Sequence, residues 1–375
     1  MTNRPYIDFY SEHGSKLVSR EIVDVNRFFG QREGLFLTLG LPPGFVRGKT
    51  VLEFGPGTGH NSIHTDSLLP ARYVLVDGGD EILEAAEKRL VATGNKTVER
   101  EFVLSLFDEF QTEEQFDLVI AEACIPNQID PIATFQKIRQ FVKPGGLMIF
   151  TTVSAASWLS EIVRRLVKIE GLAQVAEIPD KLEFLETKLS NHFAAVDGMS
   201  RSPREWILDN LIQPLHGRLF TIPDAVSDLP LEFVVSGTSP QFFQDWRWYK
   251  EIDLASRVSQ QALVDNYFSN VANLIDRRVI NPPHSPDIGR ALESLSLTVW
   301  DDIRALEKNC KASRDSVYEG LKEISVVIRE PAPLTASALH EAIDWIKSGL
   351  MEIPLEHFPT WWGRGQQHVG IYRRG

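Results

Sequence analysis

The sequence predicts an α/β protein: a mostly parallel sheet with helices on its faces, interrupted by a large, mainly helical insertion that caps it. Three observations carry that expectation. Residues 50–61, Thr-Val-Leu-Glu-Phe-Gly-Pro-Gly-Thr-Gly-His-Asn, form a short apolar strand that runs into a glycine-rich turn and a helix start. Apolar runs ending in an acid recur downstream with helical segments between them, as a parallel sheet requires. From about residue 154 to residue 350 the apolar spacing turns predominantly helical.

Composition narrows the class of partner. The chain has 375 residues, 43% hydrophobic and 24% charged, with a formal net charge of −12. This length favours a core plus an added module. An acidic chain lacks the basic face that a nucleic acid or an anionic membrane demands, so neither is expected as a partner. Two cysteines exclude a disulfide framework and suit a reducing cytosol. No uninterrupted apolar run reaches spanning length and the first residues lack a signal-peptide pattern, so a cytoplasmic protein is expected. A homodimer is compatible with this reading. None of the nine histidines falls in a metal-ligating spacing, and no metal is expected.

The elements follow in order. Residues 1–45 read as a helical segment, with Leu17, Val18, Ile22, Val25, Phe28 and Phe29 at helix spacing, ended by Leu41-Pro-Pro-Gly44. The core occupies residues 46–153. Val51, Leu52 and Phe54 suit a buried parallel strand, and Gly55, Gly57 and Gly59 let the backbone turn sharply and approach a ligand. A first helix extends to about Leu69. Arg72–Asp77 is the second strand, Asp80–Leu90 the second helix, Glu101–Phe107 the third strand stopping at Asp108, and Phe116–Glu122 the fourth. Asp130 and Pro131 open a helix as cap and first-turn residue. Lys143-Pro-Gly-Gly-Leu-Met-Ile-Phe150 stops that helix and starts the fifth strand.

Beyond it, helices are expected over residues 158–175, 181–193, 203–213, 256–279, 288–308, 313–328 and 337–348, within a module spanning 154–350. Leu231–Ser236 suits a sixth strand, with Leu355–Trp361 as the rival placement, and Gln366–Arg373 suits a seventh within the C-terminal segment 351–375.

The glycine turn differs from a dinucleotide fingerprint, because its third glycine comes one residue early. E-x-G-x-G-x-G at Glu53–Gly59, followed in order by the strand ending at Asp77, the strand ending at Glu122 and the Lys143–Phe150 signature, resembles the motif set of class I S-adenosylmethionine (SAM) dependent methyltransferases of the small-molecule type. The resemblance implies SAM as cofactor and a Rossmann-like seven-stranded sheet, with the seventh strand inserted antiparallel. It implies that Glu53 orients the methionine amino group and that the turn amides of Gly55, Gly57 and Gly59 suit the carboxylate. Asp108 would meet the adenine amino group. Asp77, grouped with Gly78, offers two acceptor oxygens to two ribose hydroxyls, and Glu122 converges on the same crevice.

Catalytic candidates are fewer, because methyl transfer from a sulfonium needs alignment, desolvation and at most a base. Tyr10, with Tyr6, is a candidate cover for the methionine end. His60 either caps the helix, as Asn61 could, or lines the cleft. Asn127 is either an acceptor contact or a turn residue, and Cys124 suits a small buried residue better than a nucleophile. The aromatic clusters Ser239–Lys250 and Trp361–Gly365 suit packing of the added module, an acceptor pocket or a partner interface. The leading expectation is methyl transfer to a small molecule or glycan precursor of bacterial secondary or cell-surface metabolism. The alternative is a SAM-cyclising or SAM-cleaving relative, similar to azetidine-2-carboxylate synthases, that releases methylthioadenosine; a non-catalytic SAM-binding protein ranks third.

Overall fold

The computed structural model describes residues 9, 22, 24–93, 95–172, 177–196, 199, 201–215, 218–227, 229–242, 246–252, 260–308 and 313–375. Tyr6 and Tyr10 lie outside them, as do Leu17 and Val18. The chain divides into two compact units: Met1–Thr152, His216–Val264 and Gln366–Gly375 form one, and Val153–Leu215 with Asp265–Gly365 forms the other. The segment His216–Val264 therefore clusters with the sheet, where the sequence suggested one helical module from 154 to 350.

The first unit is built on a seven-stranded sheet in the order β3-β2-β1-β4-β5-β7-β6. Its strands are β1 (Thr50–Phe54), β2 (Arg72–Asp77), β3 (Glu99–Leu104), β4 (Phe116–Ala121), β5 (Val142–Val153), β6 (Phe233–Ser239) and β7 (Gln366–Arg373). β1 pairs in parallel with β2 and β4, β2 with β3, and β4 with β5, while β7 runs antiparallel to β6. β4 is buried along its whole length, as the near-continuous apolar run of a doubly covered parallel strand requires. Helices that accompany the sheet include α1 (Val25–Thr38), α2 (Ser62–Ser67), α3 (Asp80–Ala92) and α4 (Pro131–Arg139). Asp24 caps α1 by accepting from the Arg27 N–H at 3.0 Å, and Asp130 caps α4 through the Ala133 N–H. Phe36 of α1, with Leu39 and Leu41, joins Val51, Leu75, Leu118 and Ile149 in the core on one face.

Close approach explains two glycines on the far edge. A Cβ on Gly237 would lie 2.2 Å from the Thr38 carbonyl, and one on Gly370 2.3 Å from that of Leu39, so the end of α1 can rest on β6 and β7 only because both lack side chains.

The third strand ends at Leu104, three residues before the expected end. Ser105 still donates to the Asp77 carbonyl, but the chain then turns so that Phe107 and Phe110 meet Phe54 edge-on, with ring centroids 5.3 and 5.4 Å away. Aromatic packing overrides strand continuation there. The sixth strand falls at Phe233–Ser239, and residues 355–361 are not a strand. Instead the Glu341 carboxylate accepts the N–H groups of Glu356, His357 and Phe358.

The second unit is helical: α5 (Leu159–Gly171), α6 (Ile178–Lys188), α7 (Pro286–Glu307), α8 (Arg314–Val327) and α9 (Pro333–Lys347), with shorter turns between them. Several expected helices break. The one expected over 181–193 divides at Leu189, that over 203–213 loosens into a π turn at Leu208–Ile212, and that over 256–279 stops at Ser269, with one further turn at Val271–Leu274. Trp361 and Trp362 are buried inside this unit, and the Trp361 indole donates to the Ile275 carbonyl at 2.7 Å. In the first unit, by contrast, Trp246, Trp248 and Tyr249 are exposed, and residues 243–245 lie outside the described part. Among the described residues, no helix is long and apolar enough to cross a membrane.

Candidate active site

Every sequence-derived cofactor candidate lies at or just beyond the carboxyl end of a strand in the first unit, where open α/β sheets bind ligands. β1 ends at Phe54 and the chain enters the glycine turn, in which Gly55, Gly57 and Gly59 have φ of 66°, 54° and 79°. These left-handed values favour glycine over any residue with a Cβ. Two of the three are also packed: a Cβ on Gly55 would lie 2.6 Å from that of Cys124, and one on Gly59 3.1 Å from the Ala86 Cα of α3. Gly57 is different, because its Cβ direction meets nothing within 4 Å among the described residues. The turn is pinned from both sides and open at its middle. Arg89 of α3 steadies it further by donating to the Thr58 carbonyl at 2.8 Å.

Asp77 closes β2 beside this turn, and its carboxylate accepts the Gly79 N–H at 2.9 Å. Burial pushes its carboxyl up to about 6, against the pull of the Gly79 and Gly78 N–H groups. Glu53 is buried within β1, one strand over, and the Tyr73 hydroxyl of β2 donates to it. Burial pushes the Glu53 carboxyl up to about 7, opposed by the Tyr73 bond and reinforced by the nearby charge of Glu122. Both carboxyls are held in a state that a hydrogen-bond donor or a cation would make easier to ionise.

Glu122 follows β4. Its two oxygens accept from both terminal nitrogens of Arg32 on α1, at 2.8 and 2.7 Å, and both side chains are buried. A planar fork on a planar carboxylate is a strong, geometrically specific pair. Asn61 donates to the same carboxylate at 3.3 Å, so it does not cap α2 with its side chain. His368 of β7 approaches Glu122 with Nε2 3.6 Å away. Behind this cluster His64 packs edge-on against Phe29 and Phe36, and burial pushes its imidazole down to about 4, the Arg32 charge adding to the effect.

The remaining candidates divide. His60 is buried and its Nδ1 lies 2.8 Å from the Thr58 hydroxyl, which holds it within the turn. Asn127 sits in the turn after β4 and donates to the Ala123 carbonyl at 3.1 Å. Ala123 has a φ of 57°, uncommon for a residue with a Cβ, and its N–H donates to Thr151 Oγ1 at 2.7 Å. Cys124 is buried with its thiol donating to the Phe54 carbonyl, and burial pushes it well above the usual thiol range, an environment that suits a packing residue. Asp108 is exposed in the turn after β3, and the Lys137 ammonium donates to its carbonyl.

Sequence reasoning missed Arg32, Tyr73 and His368. Arg32 stands among polar residues in a helix and Tyr73 among apolar ones in a strand, so neither breaks its local pattern. The only available signal was the surplus of acids expected at one crevice, which calls for a buried cation.

Residues 31–193 match the family model described as a methyltransferase domain, which supports the class I SAM-dependent methyltransferase superfamily for that part of the chain. SAM is the cofactor of that class. The residues fit it, with an open cradle at Gly57 among the described residues and the partly buried carboxylate of Asp77 beside it. Among curated relatives, the chain is 29% identical over 111 residues to a ubiquinone biosynthesis O-methyltransferase of Nitrosospira multiformis, covering 29% of this chain and 45% of the relative. It is 23% identical over 153 residues to phosphoethanolamine N-methyltransferase 2 of Caenorhabditis elegans, covering 39% and 35%. The chain thus spans less than half the length of either curated relative. Among solved structures, the N-methyltransferase NodS of Bradyrhizobium japonicum bound to S-adenosylhomocysteine matches at 18% identity and a TM-score of 0.29, over 35% of this chain and 63% of that one.

Proposed function

We propose that the protein transfers the methyl group of SAM to a small molecule or glycan precursor of bacterial secondary or cell-surface metabolism. The observation that carries the reading is the glycine turn, packed at Gly55 and Gly59, open at Gly57 and flanked by the buried carboxylate of Glu53 and the partly buried one of Asp77. The sulfonium supplies an already activated methyl group. The chain's residues then hold the donor and align it. Turn amides of Gly55–Gly59 would receive the methionine carboxylate, Glu53 its ammonium, Asp77 with Gly78 the ribose hydroxyls and Asp108 the adenine amino group. Glu122, already tied to Arg32, shapes the acceptor side of the crevice together with Asn127.

The acidic net charge supports a small acceptor over a nucleic acid. So does the turn after β4, Ala123-Cys-Ile-Pro-Asn127, which lacks the proline-aromatic motif of nucleic-acid amino-methyltransferases. The test is the product profile after incubation with SAM and a metabolite extract. S-adenosylhomocysteine together with a methylated small molecule is expected. Methylthioadenosine formed without an acceptor would overturn the transfer reading in favour of cyclisation or cleavage.

A further inference from the structure

The helical unit holds a cavity of its own. The ends of α5, α6 and α9 and the first turns of α8 surround a space of about 620 Å³, within the size range that small-molecule sites occupy. Its lining residues all belong to the second unit, whereas every cofactor candidate belongs to the first. Gly171 closes one wall, because a side chain there would collide with Phe184. Gly349 leaves room: its φ is 78°, and a Cβ on it would meet nothing within 4 Å among the described residues. The next residue, Leu350, is held by the Lys188 ammonium, which donates to its carbonyl at 3.1 Å.

Two opposite charges in this cavity are only loosely paired. Arg314 Nη1 lies 3.4 Å from Glu170 Oε2, beyond the roughly 2.7–2.9 Å of a charge-assisted hydrogen bond. The other carboxylate oxygen, Glu170 Oε1, is buried without a hydrogen-bond partner among the described residues. A buried acceptor left unsatisfied is costly, so this oxygen calls for a donor. The Glu170 side chain is 20% exposed against 52% for Arg314, which puts the acid deeper than the base. Tyr318 stands with them. Burial, reinforced by the Glu170 charge and opposed by that of Arg314, pushes its phenol up to about 12, so the hydroxyl keeps its proton. The Lys347 ammonium lies 4.6 Å from the centroid of the Tyr318 ring and adds a second cation at the same wall.

We propose that this cavity binds a free α-amino acid with an apolar or aromatic side chain. Such a molecule carries an ammonium and a carboxylate on one carbon, so it presents side by side the signs opposite to those of Glu170 and Arg314. Its ammonium supplies the donor that Glu170 Oε1 lacks. Its carboxylate takes the guanidinium that the long contact leaves unspent, with Lys347 as further positive charge. Phe184, Ile346 and Leu350 offer apolar surface to the side chain. Charge balance favours a zwitterion over a simple anion or cation: with Lys188 engaged by Leu350, the cations Arg314 and Lys347 face the acids Glu170 and Asp315. This assignment is independent of the methyl-transfer reading.

The test is calorimetric titration of the full-length chain with L-phenylalanine, in the presence of S-adenosylhomocysteine so that the cofactor crevice is filled. Two analogues each lack one charge: 3-phenylpropionate has no ammonium, and phenethylamine has no carboxylate. L-Phenylalanine is expected to bind the wild type at one site, and each analogue to bind about tenfold more weakly or worse, the scale of a lost hydrogen bond to a charged group. Glu170→Gln should weaken phenylalanine by a similar factor without weakening 3-phenylpropionate, and Arg314→Gln should do so without weakening phenethylamine. The analogue series needs no variant, so it decides the matter even where a substitution unfolds the chain. 3-Phenylpropionate binding as tightly as phenylalanine would mean a plain anion site and refute the zwitterion. No binding of L-phenylalanine or L-leucine at millimolar concentration refutes the site, as does unchanged affinity in folded Glu170→Gln and Arg314→Gln proteins. A chain that fails these tests yet methylates an acceptor loses this site and keeps its proposed function; one that passes them yet methylates nothing does the reverse.

Discussion

Both units bury charge, and they do so in opposite ways. In the sheet unit Arg32, Glu122, Glu53 and Asp77 are carboxylates and a guanidinium gathered at strand ends beside an open glycine turn. In the helical unit Arg164 is fully buried in an aromatic setting, its guanidinium 3.8 Å from the Trp362 ring centroid and 5.2 Å from that of Phe358. It donates to the carbonyls of Ser160 and Trp361. Burial lowers it to about 9, the nearby Glu161 charge opposing the shift. His192, also buried, packs edge-on to Phe358, and burial pushes it well below its usual range. A perturbed ionisable group is thus no mark of a site. What separates the two settings among the described residues is their surroundings: the first cluster adjoins a glycine turn where a Cβ on Gly57 would meet nothing within 4 Å, whereas in the second Arg164 and His192 pack against aromatic rings.

The largest expected contrast comes from removing each arginine. Arg32→Met leaves Glu122 buried next to Glu53 without its cation, so it should cost about 3–5 kcal/mol of stability, the range for breaking a buried ion pair. Arg164→Met exchanges a guanidinium for an apolar chain among aromatic rings and removes the charge facing Glu161, whose carboxyl keeps its bond from the Ser160 hydroxyl. About 1–2 kcal/mol is expected, the scale of hydrogen bonds lost from backbone carbonyls. Urea unfolding of both variants measures the difference, and equal losses would erase the distinction between a paired cluster and an aromatic one.

A smaller effect sharpens the same contrast through pH. The Glu53 carboxyl, ordinarily at 4.5, is pushed up to about 7 in the folded chain, and Asp77 moves from its ordinary 3.8 to about 6. Folded values above the unfolded ones favour the protonated forms. The stability these groups contribute is therefore complete below their unfolded values and is lost as pH rises through about 6 and 7. Glu53→Gln should flatten the fall in stability of the cofactor-free protein between pH 5 and about 8. A slope identical to the wild type's would mean that Glu53 ionises in the folded chain as it does in the unfolded one.

The sheet end was legible in the sequence because its chemistry coincides with its local patterning. A parallel strand needs an unbroken apolar run, a tight turn needs glycines, and the acids at 53, 77 and 122 interrupt those runs at their ends. The seventh strand was legible for the same reason, through its alternation over Gln366–Arg373. Arg32 was not, because an arginine in an amphipathic helix reads as solvated until the tertiary fold brings Glu122 against it. Asn61 looked like a helix cap, yet a buried carboxylate competes better for its amide than the helix N–H groups do. The early end of β3 was hidden as well, since nothing local says that Phe107 and Phe110 will turn inward to Phe54. In the helical unit the long helices were visible from periodicity, but their breaks at Leu189 and Asn270 depend on packing.

The central claim is that the open glycine turn and Asp77 form the SAM site, and calorimetric titration with SAM tests it most directly. The wild-type chain is expected to bind with one site, Asp77→Ala to lose about 1.5–3 kcal/mol, the range for hydrogen bonds to a charged group, and Gly57→Val to lose binding altogether while remaining folded. Wild-type affinity in folded Asp77→Ala and Gly57→Val proteins would contradict the assignment.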